Sequence, residues 1–177
     1  MDSLAKHLAY FETLTARKAD RVAGANYLSN HPDQWHEIFL FALNPKGDRI
    51  HVLICWCVEL FVVANPTVLT PHFDVFLKRI ATITNESMRR SLSKILFYYI
   101  TKKRVSITQK QIDDSITQAF DWLIEPAQVA TLNFSLKILQ CFQEERPWVK
   151  EELRALVQQQ LPTASPGYRA AAREILK

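Results

Sequence analysis

Three groups of side chains in this 177-residue sequence have types and spacing that suit chemistry. The first is Glu59, the single acid inside the apolar run of residues 52–64, with Trp56 three residues before it. A carboxylate held in an apolar helix suits general acid–base work. The competing reading is a carboxylate at the concave rim, paired to a neighbouring Arg or Tyr. The second is His51 with Cys55, four residues apart and so on one helical face, where two ligands can meet a metal. Tetrahedral zinc needs further ligands, no second Cys/His pair has suitable spacing, and Cys57 points away from Cys55 on a helix. Buried cysteine then acts as a small hydrophobe, and neither a metal nor a cofactor is expected. The third is Asp121-Trp122, an acid beside an aromatic, the kind of pair that serves base excision. No G-x-S-x-G, H-E-x-x-H or Walker sequence is present. Three glycines are too few for the Rossmann, P-loop or β-sandwich classes.

The elements that must position these residues are helices. Apolar residues recur at helical spacing, with Pro, Asn and Gly between the segments. Leu4, Leu8, Phe11 and Leu14 form a first stripe. Residues 20–28 and 33–43 follow, and Asp48 is placed to cap a helix over 49–64 that stops at Asn65-Pro66. Thr70-Pro71 reads as an N-cap with proline at the first helical position, turning Phe73, Phe76, Leu77 and Ile80 inward. Asn85 opens a helix carrying Met88, Leu92, Ile95, Leu96 and Tyr99. Thr108 with Gln111 reads as a capping box, and Glu125-Pro126 ends that helix. Segments 127–143, 147–160 and a last helix opened by Ser165-Pro166 bring the expectation to about ten helices and no strand.

The second helices of successive pairs look alike. MRRSLSKIL (88–96), TLNFSLKIL (131–139) and YRAAAREIL (168–176) align without gaps, and DRVAGANYL (20–28) matches less well. Leu28, Leu60, Leu96, Leu139 and Leu176 are spaced by 32, 36, 43 and 37 residues, near the period of about 40–47 of HEAT and armadillo units. Such pairs bury their apolar faces by stacking. The expected fold is therefore an all-α, HEAT/armadillo-like α-α superhelix of about five helix pairs, forming one domain over residues 1–177. An irregular helical bundle is the alternative.

Charge is unevenly placed. Residues 78–110 hold Lys78, Arg79, Arg89, Arg90, Lys94, Lys102, Lys103, Arg104 and Lys110 against Glu86 alone, a net +8 in a chain of net +4. This basic segment reads either as a patch for phosphate-rich or acidic partners or as a solvated face, part-neutralised by Asp113, Asp114, Asp121 and Glu125. The start of the chain has no basic-then-apolar leader. The longest apolar run falls short of the about 20 residues a bilayer needs, and the three cysteines suit a reducing compartment. A cytoplasmic protein without a membrane partner is expected.

A resemblance adds to this. Cys55-Trp56-Cys57-Val58-Glu59, Pro71-His72-Phe73-Asp74-Val75-Phe76, Phe120-Asp121-Trp122-Leu123-Ile124, Tyr168-Arg169 and Arg173-Glu174-Ile175-Leu176 resemble a group of short Bacteroidetes proteins of nearly this length. Those proteins commonly carry the name adenylosuccinate lyase. The resemblance covers most of the chain through scattered short motifs. It implies a HEAT-type helical-repeat fold and, by name, lyase activity, with no site residue to carry over. Long-chain adenylosuccinate lyases have a mobile loop with a serine pair followed by Met-Pro-x-Lys-x-Asn-Pro. Asn44-Pro45-Lys46 and Asn65-Pro66 lack its serines, methionine and spacing. Helix-pair organisation and basic character are also similar to HEAT-like alkylpurine DNA glycosylases, whose catalytic residues have no counterparts placed here.

The reading that follows is a non-enzymatic interaction scaffold, binding an acidic or extended protein partner on a concave face. Trp56, Glu59, Arg90, Lys94, Asn133, Lys137, Arg169 and Arg173 are the expected contact residues. An adenylosuccinate lyase-like enzyme, or a glycosylase or nucleic-acid binder working through residues 78–110, is the alternative.

Overall fold

The computed structural model describes residues 3–103, 106–125 and 128–176. Among them are ten α-helices and no strand: α1 (Ser3–Glu12), α2 (Lys18–Ser29), α3 (Trp35–Ala42), α4 (Arg49–Ala64), α5 (Phe73–Ile80), α6 (Glu86–Lys103), α7 (Gln109–Ile124), α8 (Val129–Gln140), α9 (Pro147–Gln160) and α10 (Pro166–Leu176). Arg104 and Pro126, which the sequence reading placed in the basic segment and at a helix end, lie outside the described residues.

Local chemistry sets the helix starts. The Asp48 backbone N–H donates to His51 Nδ1 at 3.1 Å at the head of α4. Asn85 Oδ1 accepts from the backbone N–H of Ser87 and Met88 before α6. At α7, Thr108 Oγ1 accepts from Gln111 N–H at 3.2 Å while Gln111 Oε1 accepts from Thr108 N–H at 3.0 Å, the reciprocal box expected from sequence. The start of α5 differs from expectation. Thr70 and Pro71 belong to a 3-10 segment, Pro66–His72, and the α-helix begins only at Phe73. Prolines at 66 and 71 lack N–H groups and crowd an i to i−4 ladder, which favours the tighter, shorter helix. The four apolar side chains foreseen for α5 are nonetheless buried.

The even-numbered helices pack in series, α2 on α4, α4 on α6, α6 on α8 and α8 on α10. The odd-numbered helices and the 3-10 segment lie against this row, α3 and the 3-10 segment on α4, α7 and α9 on α8. The α2–α4 approach is close, because a Cβ on Gly24 would fall within the van der Waals radius of the Cys57 thiol. Gly47, at φ +63, makes the turn into α4, and its carbonyl accepts from Asn85 Nδ2 at 3.2 Å, tying that turn to the start of α6. Arg89, buried beneath α6, donates to the Ile83 carbonyl and pairs with Glu86 and Glu125, so it clamps the end of α7.

Leu28, Leu96 and Leu139 sit fully inside the core, whereas Leu60 and Leu176 are only half-buried. For α4 the reason is its central position. Neighbours on several sides bury nine of its residues and leave Val52, Trp56, Leu60 and Val63 as the stripe that reaches solvent. No single helix among the described residues is long and apolar enough to cross a membrane. Only α4 with the segment after it, bent by 110°, passes on length and composition together.

Candidate partner-binding face

The even-numbered row leaves one stripe of each helix uncovered. On α6 that stripe is Arg90, Lys94, Phe97 and Thr101, and on α8 it includes Asn133, Phe134 and Lys137. Side-chain contacts join the stripes across the seams. Between α2 and α4, the Arg21 guanidinium lies over the Trp56 ring, 5.6 Å from its centroid. Between α6 and α8, Lys137 Nζ stands 5.7 Å from the Phe97 ring and 5.6 Å from the Phe134 ring, and the two rings lie 5.8 Å apart. A cation over a ring face is attracted by the ring quadrupole and held in place. Between α4 and α6 the seam is ionic, with Lys94 Nζ donating to Glu59 Oε1 at 2.7 Å and Ser91 Oγ to Glu59 Oε2 at 2.6 Å.

The expected contact residues separate on this geometry. Trp56, Arg90, Lys94, Asn133 and Lys137 share the open side of α4, α6 and α8. Glu59 does not line that face. It is 5% exposed, lodged under the α4–α6 seam with both oxygens engaged, because an unpaired carboxylate among apolar side chains is costly. Arg169 reaches back to the Pro162 carbonyl at 3.3 Å, toward the α9–α10 turn, while Arg173 is exposed on α10. Sequence reasoning missed Arg21, Ser91, Phe97 and Phe134. A signal existed for the two phenylalanines, which stand three residues from Lys94 and Lys137 on their own helices and so share their faces. Arg21 carried none, since its role depends on the α2–α4 packing. Arg21 Nε, Trp56 Nε1 and Asn133 Oδ1 are buried without a hydrogen-bond partner among the described residues.

The other chemical candidates are absorbed by structure. His51 Nδ1 accepts the Asp48 N–H, and burial holds its pKa below the ordinary value. Cys55 Sγ faces the Ala42 carbonyl, and burial pushes its thiol pKa upward, with Cys57 and Glu59 adding to the effect. Burial pushes Cys57 up to about 12. Neither thiol is placed to be a thiolate. No group of three His, Cys, Asp or Glu side chains among the described residues stands ready to hold a metal. Asp121 and Trp122 do not act as a pair. Trp122 is 1% exposed in the core and cannot receive a base, while Asp121 faces outward.

The basic segment does not form one surface. Arg89 is buried in its ion-pair clamp and Lys94 is taken by Glu59. Lys78 and Lys110 line a groove of about 570 Å³ between α5 and α7 that also holds Asp74, Asp114 and Asp121. There Lys110 pairs with Asp114 and Gln111 donates to Asp74. Partial burial first, and the Glu125 charge second, push the Asp121 pKa upward. Arg90 remains exposed on the open side of α6, and Lys102 and Lys103 stand at its end. Comparison of the chain with protein-family models, with curated proteins and with solved structures finds no match.

Proposed function

We propose that this chain is a non-enzymatic interaction scaffold, a short HEAT- or armadillo-like α-α superhelix whose even-numbered helices present a shallow face to an extended, acidic partner. One observation carries the reading: the serial packing of α2, α4, α6, α8 and α10 with Arg21, Arg90 and Lys137 on its uncovered side. Stacked helix pairs of this kind bind partners along the surface that the second helices line. The resemblance to the short Bacteroidetes proteins points to the same fold. The lyase chemistry in their name would need a base, an acid and anion clamps converging on one cavity. Glu59, the carboxylate best suited from sequence, is engaged on both oxygens instead. We place it in the cytoplasm, a reducing compartment that suits its odd number of cysteines.

Polyglutamate titrated into the protein at low salt tests the reading. Wild type binds with a clear salt dependence, and Arg90→Ala with Lys137→Ala weakens binding about fivefold to tenfold, as loss of two partly exposed charge contacts should. Unchanged affinity in the double variant refutes the proposed face. Conversion of adenylosuccinate to AMP and fumarate by the purified protein refutes the scaffold reading itself.

A further inference from the structure

The groove between α5 and α7 lies on the odd-numbered helices rather than on the even row, and its polar groups are unevenly used. Asp74 accepts from Gln111 Nε2 at 2.8 Å, and Lys110 pairs with Asp114. These four satisfy one another. Lys78, Gln118 and Asp121 line the same groove, and their side chains make no hydrogen bond or ion pair with any described residue. Leu77, only 5% exposed, and Ala81 add an apolar stretch of wall.

Gln118 is the informative member. It is 7% exposed, and a buried amide ordinarily finds a partner because an unmade hydrogen bond in an enclosed place is costly. The Gln118 amide has the groove before it instead. The space, about 570 Å³, falls within the about 300–1,000 Å³ of small-ligand sites.

The three unengaged groups describe a ligand by complement. Lys78 calls for a carboxylate and Asp121 for an ammonium. Partial burial and the Glu125 charge both disfavour the ionised Asp121, and a bound cation would relieve that. The Gln118 amide carries a donor and an acceptor side by side, as a peptide unit does, so the two can exchange a pair of hydrogen bonds. A diamine would set a second cation against Lys78, and a dicarboxylate a second anion against Asp121.

Independently of the scaffold reading, we propose that the α5–α7 groove is a binding site for a short zwitterionic peptide, its ammonium on Asp121, its carboxylate on Lys78, a peptide unit on Gln118 and an apolar side chain over Leu77 and Ala81.

Titration calorimetry of the full chain with leucyl-leucine, its N-acetyl and C-amide forms, and putrescine tests the site. The free dipeptide is expected to bind, and acetylation or amidation each to weaken it about tenfold, as loss of one charge-assisted contact should. Asp121→Asn should hold the free and N-acetyl forms alike, and Lys78→Met the free and C-amide forms alike. Both side chains are exposed, so neither change disturbs the core. Gln118→Leu keeps the bulk and removes the amide. It should weaken the free dipeptide about tenfold without lowering Tm, since no protein hydrogen bond is lost. Absence of dipeptide binding, or equal affinity of the three forms for the wild type, overturns the site. Tighter binding of putrescine than of the dipeptide overturns the zwitterion assignment. Arg90→Ala/Lys137→Ala should leave dipeptide affinity unchanged, so this site and the even-row face fail separately.

Discussion

The even-numbered and odd-numbered helices of this protein differ in charge as well as in position. The described even helices carry eleven basic and four acidic residues, a net +7, and the odd helices six basic and eight acidic, a net −2. Along the even row the cations are spread over successive helices and supported on rings or on a buried carboxylate. On the odd side the acids are matched locally, Lys110 to Asp114 and Arg146 to Asp113. A segment of net +8 in the sequence thus becomes two surfaces, because consecutive helices alternate between the two sides of the row. Charge counted along the chain overstates the patch, and charge counted by layer recovers it.

The same division should govern stability. Ile54 on α4 is fully buried in a helix touched by α2, α3 and α6, so little around it can collapse into a cavity. Ile54→Ala should cost about 4 kcal/mol in urea unfolding. Leu77→Ala on α5, at 5% exposure on the less enclosed side, should cost about 2 kcal/mol. Equal losses would break the idea that the even row is the structural spine.

The Glu59–Lys94 pair offers a sharper cut within that row. Lys94→Met removes the cation and leaves the carboxylate buried with only Ser91. Breaking a buried pair costs about 3–5 kcal/mol. The Lys94 side chain is 30% exposed, so solvent screens part of this and about 2 kcal/mol is expected. Adding Glu59→Leu should restore most of the loss, since an apolar side chain in that seam needs no partner. A double variant as unstable as the single one would show that the pair's value lies in something other than charge compensation.

How far this was legible in the sequence depends on range. Local signals were read well. The capping box at Thr108, the helix bounds 49–64 and 147–160, and the burial of Phe73, Phe76, Leu77 and Ile80 all rest on patterns within one or two turns. The all-helical class was legible too, because apolar residues recur at helical spacing in every described segment. Apart from the N-cap read at Thr70-Pro71, which lies inside a 3-10 segment, what failed needed three dimensions. Leucine spacing put Leu60 in register with Leu96, yet the crowding of α4 turns Leu60 toward solvent. Glu59 is paired, as one reading of it expected, but it is buried and its partner is Lys94, 35 residues away in sequence, rather than a neighbouring Arg or Tyr at a rim. The place of Arg21 over Trp56 was invisible because nothing near it in the chain announces that ring.

The smallest expected effect concerns acid. His7 on α1, His36 on α3 and His72 in the 3-10 segment lie on the odd side, against His51 alone on the even row. Burial holds the pKa of all four below the ordinary 6.5. His36 and His72 stack at 3.5 Å, so protonation of one opposes protonation of the other. A histidine of depressed pKa binds its proton more readily in the unfolded chain. Stability therefore rises with pH through the window below about 6.5 and is lost on acidification. Tm should fall between about pH 7.5 and about pH 5.5, a range in which ordinary carboxylates stay ionised. His36→Phe keeps a ring against His72 and removes one titrating group, so it should flatten that fall. Hydrogen exchange at the lower pH should rise first in α1, α3 and the 3-10 segment, ahead of α6 and α8. If His36→Phe leaves the slope unchanged, or α6 opens before α3, acid sensitivity does not follow the division between the two sets of helices.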